Sequence, residues 1–297
     1  MTNALPVLWL YGPPGVGKTT VAWAFCEQLW RDGLRAAYVD IDQLGMCFGP
    51  PTSENWSPEP ADDPGRHRLK TLTLDAVAAN ARDAGAACLV VSGVIDVEHG
   101  IDLGLLPNAA LTTIRLRAET ETLRQRLEAR ARPGQDYDEI AEYASALERC
   151  DGPYVDTTGL SVDEVRQRIC KHVGDWPGDY AAVRGALAEP QLAAELSGRI
   201  LRVSGPREDG KSMIGWRIYR QMRLDGTRSG FVDLVQLGFL RPADAADPGN
   251  RRLRAANLAA VWRTFRAAGA ECLVAATALP GTEDGFPGSA AAERPII

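Results

Sequence analysis

Short apolar runs alternate with longer amphipathic stretches along this chain. The runs that predict β-strands in the first half are 7–11, 36–40, 87–92, 111–116 and 154–156. The stretches with helical spacing predict helices near 18–32, 66–84, 119–131, 137–149 and 161–173. A proline-rich stretch, 47–65, predicts a long loop. Strands that alternate with helices are typical of a parallel sheet covered by helices on both faces.

A glycine-rich segment follows the first predicted strand and precedes the first predicted helix. It fits the pattern G-x-x-x-x-G-K-[ST], in which backbone N–H groups surround phosphate oxygens, the lysine reaches the β- and γ-phosphates, and the hydroxyl holds Mg²⁺. This strand–loop–helix context predicts an α/β P-loop NTPase fold, a three-layer sandwich around a parallel sheet. The residues expected to bind the nucleotide are Gly12, Pro13, Pro14, Gly15, Val16, Gly17, Lys18, Thr19 and Thr20.

The same pattern occurs again at 205–212, after an apolar run at 200–203. With an offset of 193 residues, Trp23 falls on Trp216 and Asp40 falls on Asp233. With a smaller offset of 184 the match resumes, and the triplet at 88–90 falls on the identical triplet at 272–274. Glycines, turn residues and apolar spacing therefore recur together, which predicts that the fold is repeated twice by tandem duplication.

The second repeat is predicted to be abbreviated. About twenty residues remain after its third predicted strand, so it is either truncated or completed by packing against the first. Glu208 and Asp209 bring like charge to the expected phosphate position, Met213 replaces Thr20, and Val235 replaces Asp42. We expect a degenerate copy that binds weakly or serves structurally. Its candidate nucleotide-binding residues are Gly205, Gly210, Lys211 and Ser212.

These patterns divide the chain into a kinase-like domain at 1–175, a linker at 176–198 and an abbreviated second P-loop domain at 199–297. The composition, with 45% hydrophobic and 24% charged residues, is that of a globular protein. A net charge of −6 gives no support to nucleic-acid binding. With six cysteines outside any metal-ligand spacing, and neither a signal-peptide pattern nor a membrane-spanning run, we expect a cytoplasmic protein whose two domains contact each other.

Acidic residues distinguish among the users of a P-loop. The chain has no N-K-x-D guanine signature, and the run at 87–92 ends without Asp or Glu, which disfavours motor, AAA+ and transporter ATPases. Asp40 and Asp42 instead follow the second predicted strand. This arrangement resembles the small-molecule and nucleotide kinases of the P-loop class, such as shikimate and gluconate kinases, adenylylsulfate kinase and chloramphenicol phosphotransferase. The resemblance covers roughly 5–175 and implies ATP and Mg²⁺ as cofactors.

Two further segments are similar to these kinases. The residues 113–132 look like their fourth strand and lid helix, and 154–165 look like the strand and turn that border the adenine. The resemblance implies that lid arginines, here Arg126 and Arg130, fold over the polyphosphate; pairing with nearby acids such as Glu128 on an exposed face is an equal alternative.

The resemblance and the motif together give each residue a candidate role. Lys18 is assigned to the β- and γ-phosphates, Thr19 and Asp40 to the metal, and Asp42 to orienting or deprotonating an acceptor hydroxyl. Strand-end or helix-capping aspartates are the alternative for the two acids. A basic cluster at the start of the next helix could bind an anionic acceptor, but a solvated helix end is the favoured interpretation. The cluster consists of Arg66, His67, Arg68 and Lys70.

Two functions remain open from the sequence. The first is an ATP-dependent kinase for a small hydroxyl-bearing or nucleotide acceptor, with its site in the first domain. The second is a regulatory or interaction protein in which ATP controls contact between the tandem domains with little phosphotransfer. Asp42 and the lid arginines favour the kinase, because a pure binding module does not need them.

Overall fold

The computed structural model describes residues 4–48, 65–130, 136–178, 199–203 and 210–276. Its first half contains β1 (Leu5–Tyr11), α1 (Lys18–Arg31), β2 (Ala36–Asp40), β3 (Cys47–Phe48), α2 (Gly65–Asp83), β4 (Cys88–Gly93), β5 (Ala109–Arg117), α3 (Thr120–Glu128), α4 (Tyr137–Leu147), β6 (Tyr154–Asp156) and α5 (Val162–Val173). Its second half contains β7 (Arg199–Val203), α6 (Lys211–Leu224), β8 (Ser229–Asp233), β9 (Phe239–Arg241), α7 (Arg251–Ala267) and β10 (Cys272–Ala276).

The larger sheet has six strands in the order β6-β5-β1-β4-β2-β9. All neighbouring pairs are parallel except β2 with β9, where the chain from the second half runs antiparallel along the edge. The expected mostly parallel α/β sheet is therefore confirmed. β1 lies in the middle of the parallel strands, between β4 and β5. The loop that follows β1 lies at the carboxyl edge of these strands, where parallel α/β sheets bind ligands.

Side chains alternate between the two faces of this sheet. Leu8 and Leu10 of β1 pack with α1, α3 and α5, whereas Val7 and Trp9 pack with α2 on the opposite face. Period-two alternation in strands and 3.6-residue periodicity in helices produce this division. The larger sheet is thus covered on both faces, as the sequence predicts for the first half.

The smaller sheet has four strands in the order β3-β8-β10-β7. β7, β10 and β8 are parallel, and β3 from the first half pairs antiparallel with β8. The order β7-β10-β8 follows the same course as β1-β4-β2 in the larger sheet. On one face, Val274 and Ala276 pack with α6, and on the other, Leu273 and Ala275 pack with α7.

Each half contributes a short edge strand to the other half's sheet. Phe48 pairs with Ser229 through β3 and β8, and Tyr38 pairs with Phe239 through β2 and β9. The sequence missed both strands. Part of the stretch predicted to be a loop, 47–65, forms β3. The sequence could not indicate this strand, because two residues are too few to show a period-two pattern. Residues 49–64 and the helical piece expected near 190–197 lie outside the described residues.

The helices α2 and α7 pack together between the two sheets. Leu74, Val77 and Ala81 of α2 belong to the same buried cluster as Val261 and Phe265 of α7, and Asn80 Nδ2 donates to Asn257 Oδ1 at 3.0 Å. The two sheets therefore share one middle layer of helices, so the described chain has five layers instead of two separate three-layer sandwiches. Within the described ranges, no helix combines the length and the apolar character that crossing a bilayer requires.

Candidate functional site

The glycine-rich segment forms a tight loop between β1 and α1. Gly12 has φ +155, and a Cβ there would lie 2.2 Å from the carbonyl oxygen of Leu116 on β5. Gly15 has φ +85, and its Cβ would lie 2.9 Å from Cγ of Leu127 on α3. Glycine is therefore required at both positions, because the backbone adopts a left-handed or crowded conformation against its neighbours.

The start of α1 leaves its first N–H groups without a side-chain cap. Gly17 precedes the helix in the left-handed conformation, no side chain caps it, and its first turn carries no acidic residue. The uncapped N–H groups and the helix dipole both favour an anion at this position. Thr19 and Thr20 are exposed here. The residues of the loop and helix start therefore fit a polyphosphate.

Lys18 folds back over the loop. Its ammonium donates to the carbonyl oxygens of Gly12 at 2.8 Å and Pro13 at 2.9 Å. Burial lowers the pKa of Lys18 to about 8, while the charges of Asp42 and Asp40 oppose that shift. Arg130 and Lys70 add to the lowering, so their charges also act on the Lys18 ammonium. The two acids and three cations thus act on one another at the carboxyl edge of the larger sheet.

Asp40 ends β2 and caps the short 3-10 turn Ile41–Leu44 by accepting from the backbone N–H of Asp42 at 3.0 Å. Burial and the neighbouring charge of Asp42 raise the pKa of Asp40 above its ordinary value. The capping role that the sequence left as an alternative is therefore present. The cap uses one carboxylate oxygen of Asp40. Within the described residues no hydrogen bond is seen for the other oxygen, and a carboxylate oxygen is a ligand that Mg²⁺ prefers.

Asp42 accepts from a lysine that the sequence placed on a solvated helix end. Lys70 Nζ lies 2.6 Å from Asp42 Oδ1, and Arg66 Nη2 lies 3.8 Å from the same oxygen. Burial alone would raise the pKa of Asp42, but Lys70 and Arg66 hold it below its ordinary value. Asp42 is therefore ionised at neutral pH and is suited to accept a hydrogen bond.

The position of Lys70 depends on a glycine in a different element. The residue is 1% exposed, and a Cβ at Gly45 would lie 2.4 Å from its Cγ. The expectation of a solvated basic helix end is wrong for Lys70, since the helix start packs against the turn after β2. It holds for Arg68, which is exposed. A glycine at position 45 is compatible with a close approach of another element, but only the tertiary structure shows that this element is α2.

The two arginines expected in a lid lie in different surroundings. Arg126 donates to Thr157 Oγ1 and to the Thr157 carbonyl, both at 2.9 Å, and approaches the Val16 carbonyl at 3.4 Å. It therefore connects the glycine-rich loop with the turn after β6. Arg130 is exposed just beyond α3. The neighbouring acid Glu128 pairs instead with Arg124, at 2.9 Å.

A buried hydroxyl pair lies beside the site and was missed by the sequence argument. Tyr38 Oη and Ser92 Oγ are 2.9 Å apart. Burial raises the pKa of Tyr38, so its hydroxyl is neutral at physiological pH. Ser92 lies near the end of β4, where the sequence lacks the acidic residue expected of motor and transporter ATPases, and no sequence motif marks this pair.

The second glycine-rich segment is described only from Gly210 onward, so Gly205 lies outside the described residues. Gly210 precedes α6 in the left-handed conformation, as Gly17 precedes α1. Lys211 is buried at the first position of α6, and the hydroxyl of Ser212 donates to Asp233 at the end of β8. The structure thus brings Ser212 and Asp233 together across two elements.

Comparisons with known proteins give partial similarities. No protein-family model matches the chain. Replication factor C subunit 4 of Caenorhabditis elegans is 36% identical over 90 residues, a segment that is 28% of this chain and 27% of that protein. This chain thus spans about a quarter of the length of the curated relative that it matches.

Solved structures similar to part of the chain include the tunicamycin resistance protein of Deinococcus radiodurans, with 21% identity, TM-score 0.40, and coverage of 57% of this chain and 96% of that one. A sugar kinase from Janibacter has 18% identity, TM-score 0.41, and coverage of 59% and 96%. Shikimate kinase from Bacteroides thetaiotaomicron has 18% identity, TM-score 0.39, and coverage of 57% and 99%. The α/β fold follows from the strand order and register of the two sheets and does not depend on these similarities.

Proposed function

We propose that the first half of the chain is an ATP-dependent phosphotransferase for a small hydroxyl-bearing or nucleotide acceptor. The observation that carries the proposal is the charge arrangement around Lys18. Lys18 lies at the start of an uncapped helix, and the charge of an ionised Asp42, held by Lys70 at 2.6 Å, acts on it. Phosphoryl transfer depends mainly on positioning and charge neutralisation, which such an arrangement supplies.

The residues on the phosphate side would hold the nucleotide and its metal. When bound, ATP with Mg²⁺ supplies the phosphoryl group that is transferred. The N–H groups from Pro14 to Thr20 would bind the phosphates, and Lys18 would exchange the carbonyls of Gly12 and Pro13 for phosphate oxygens. Thr19 and Asp40 would hold the metal, and Arg126 and Arg130 would lie along the polyphosphate.

Asp42 would orient the acceptor. Because its pKa is held low, its carboxylate is a weak base and would accept a hydrogen bond from the acceptor hydroxyl. The hydroxyl proton would pass to the Asp42 carboxylate late in the transfer and from there to solvent, since a largely dissociative transition state needs little prior deprotonation. Lys70 and Arg66 keep the carboxylate in place, and this fixed geometry is what favours transfer over simple nucleotide binding.

We also propose that the P-loop fold occurs twice, as domains at 1–175 and 199–297 joined by a linker at 176–198. Two observations support this. The strand order β1-β4-β2 in the larger sheet corresponds to β7-β10-β8 in the smaller one. β2 and β8 are also related by the offset of 193 residues that relates the two glycine-rich motifs. The exchanged edge strands would make the two domains obligate neighbours. A cytoplasmic location, with its supply of ATP, suits this function.

The test is transfer of the γ-phosphate from labelled ATP to a panel of hydroxylated metabolites and nucleosides. Transfer to one acceptor class, abolished in Lys18→Ala and retained in Lys171→Ala, would support the proposal. Lys171 is a matched control because it is exposed at the end of α5. Binding of ATP without transfer to any acceptor would contradict the phosphotransferase and favour a regulatory role.

A further inference from the structure

We propose that the start of α6 is a second binding site, for a magnesium-bound triphosphate chain, and that the first half completes this site through Gln43. The site consists of Lys211, Ser212, Asp233 and Gln43. This second site is separate from the phosphotransferase proposed above and does not depend on phosphate transfer in the first half.

The first observation is a buried cation. Lys211 is 6% exposed, and its Nζ has no hydrogen-bond partner among the described residues. Burial of an ammonium group without a partner costs several kcal/mol, so such a group is retained where a ligand supplies the missing negative charge.

The second observation concerns the helix on which Lys211 lies. α6 has 14 residues, its start carries no side-chain cap, and its first turn contains no acidic residue. Its first N–H groups are therefore available to an anion, and the helix dipole favours negative charge at this end. Lysine and helix start together provide the cationic side of a phosphate site.

The third observation supplies ligands for a metal. The hydroxyl of Ser212 donates to one carboxylate oxygen of Asp233, whose other oxygen accepts from the Val235 N–H at 2.9 Å. Oxygen ligands of this kind suit Mg²⁺, which bridges phosphates and one or two protein groups. Thus a hydroxyl and a carboxylate are already in contact at the position where a metal would neutralise the triphosphate.

The fourth observation links this site to the first half. Gln43 Oε1 accepts from the backbone N–H of Asp233 at 3.1 Å. Gln43 belongs to the turn Ile41–Leu44, which also carries Asp42. One short turn therefore contacts the metal side of the second site and the acceptor side of the first. The second site is therefore incomplete without the first half.

The proposed site replaces the expectation of a degenerate second motif. That expectation depended on Glu208 and Asp209, which lie outside the described residues, and on the loss of Asp42 and Thr20 equivalents. Loss of Asp42 affects an acceptor, and loss of Thr20 removes one hydroxyl at the helix start. The lysine, the hydroxyl and the acid that a triphosphate needs are all present. The site would bind its ligand without transferring phosphate.

The experiment counts binding sites in the full-length chain by equilibrium dialysis, with a non-hydrolysable ATP analogue and, separately, inorganic tripolyphosphate, both with Mg²⁺. Lys18→Met removes the first site, and we expect this variant to bind one equivalent of ligand. The double variant, Lys18→Met with Lys211→Met, is expected to bind none. Lys171→Met is the matched control. Binding of tripolyphosphate as well as the analogue assigns recognition to the phosphates, and binding of the analogue alone assigns part of it to the nucleoside.

A wild-type chain that binds one equivalent, all of it lost in Lys18→Met, would overturn the second site and leave the phosphotransferase intact. One equivalent lost only in Lys211→Met would support the second site and contradict the first. If Lys211→Met fails to fold, as judged by circular dichroism, Ser212→Ala replaces it. This variant, in the Lys18→Met background, is expected to lose the dependence of binding on Mg²⁺, and unchanged Mg²⁺ dependence would overturn the metal assignment.

The contribution of Gln43 is tested in the same Lys18→Met background. Loss of one orienting hydrogen bond in Gln43→Ala is expected to weaken binding at the second site about two- to tenfold. Gln221→Ala is the control, because Gln221 is exposed near the opposite end of α6 and its side chain donates to Asp225 at 2.8 Å. Equal affinity in the two variants would overturn the composite nature of the site.

Discussion

Lys70 Nζ lies 2.6 Å from Asp42 Oδ1, although the two residues are 28 positions apart and the lysine side chain is almost completely buried. The pair joins α2 to the turn after β2. A buried ammonium is tolerated because a carboxylate partner compensates its charge. The pair therefore fixes Asp42, the residue proposed to orient the acceptor, at the cost of burying a cation.

Replacing Lys70 with Met should impair phosphotransfer more than nucleotide binding. The variant keeps the buried stem but removes the charge-assisted hydrogen bond to Asp42, which is worth about 1.5–3 kcal/mol. We expect transfer to fall about 10- to 100-fold while the Kd for ATP changes less than about threefold. Steady-state kinetics and calorimetry measure the two quantities. Equal losses in binding and transfer would contradict a role on the acceptor side.

Replacing Gly45 with Ala should destabilise the protein. The new Cβ would lie 2.4 Å from Lys70 Cγ and 2.9 Å from its Cε, and the buried lysine has little room to move. Overpacking of this kind costs about 1–3 kcal/mol. Chemical unfolding measures the change. Gly249→Ala is the control, since its Cβ would make only an ordinary contact of 3.6 Å with Arg251; equal stability of the two variants would contradict the crowding argument.

Replacing Phe48 with Ala should destabilise the second half, although Phe48 belongs to the first. Its ring packs in the cluster under α6 and lies 5.0 Å from the guanidinium of Arg223. Loss of a buried phenylalanine costs about 3–5 kcal/mol. Hydrogen exchange should become faster in β8 and α6 before it does so in β1. Acceleration confined to the first half would show that β3 does not stabilise the smaller sheet.

Removing Arg126 should weaken nucleotide binding, because this side chain connects Val16 of the loop with Thr157. We expect Arg126→Ala to raise the Kd for ATP about tenfold, as the loop loses an orienting contact worth about 1.4 kcal/mol. Arg124→Ala is the control: Arg124 lies two residues away on the same helix, is exposed and pairs with Glu128. Similar affinities for the two variants would remove Arg126 from the site.

Stability should depend on pH through His67. Burial lowers the pKa of His67 to about 4 from an ordinary value of 6.5, Lys70 and Arg66 lower it further, and Asp96 and Asp42 oppose the shift. Between these pH values the unfolded chain binds more protons at this residue than the folded one, so its contribution is complete above about pH 6.5 and decreases as the pH falls toward about 4.

The measurement is the free energy of unfolding against pH for the wild type and His67→Gln. We expect the wild type to lose more stability than the variant between pH 6.5 and 4. His172→Gln, at an exposed position near the end of α5, serves as the control and should follow the wild type. Parallel curves for the wild type and His67→Gln would show that His67 is not held neutral by burial.

The sequence by itself determined many of the local elements and the position of the glycine-rich loop. The strands at 36–40 and 154–156 were predicted with their observed bounds, because apolar runs between turn residues have few alternatives. Gly12 to Thr19 could be proposed as a phosphate-binding loop for a similar reason, because such a loop uses residues adjacent along the chain. Local periodicity and local motifs carry this information.

Only the tertiary structure decided the surroundings of Asp42 and the relation between the halves. Lys70 contacts Asp42 because α2 packs over Gly45, and Gln43 contacts Asp233 because β3 pairs with β8. Neither β3 nor β9 is long enough to show a period, and each is stable only as an edge added to an existing sheet. Contacts between residues distant in sequence depend on how layers pack, and the hydrophobic driving force for that packing is non-directional, so no local pattern specifies them.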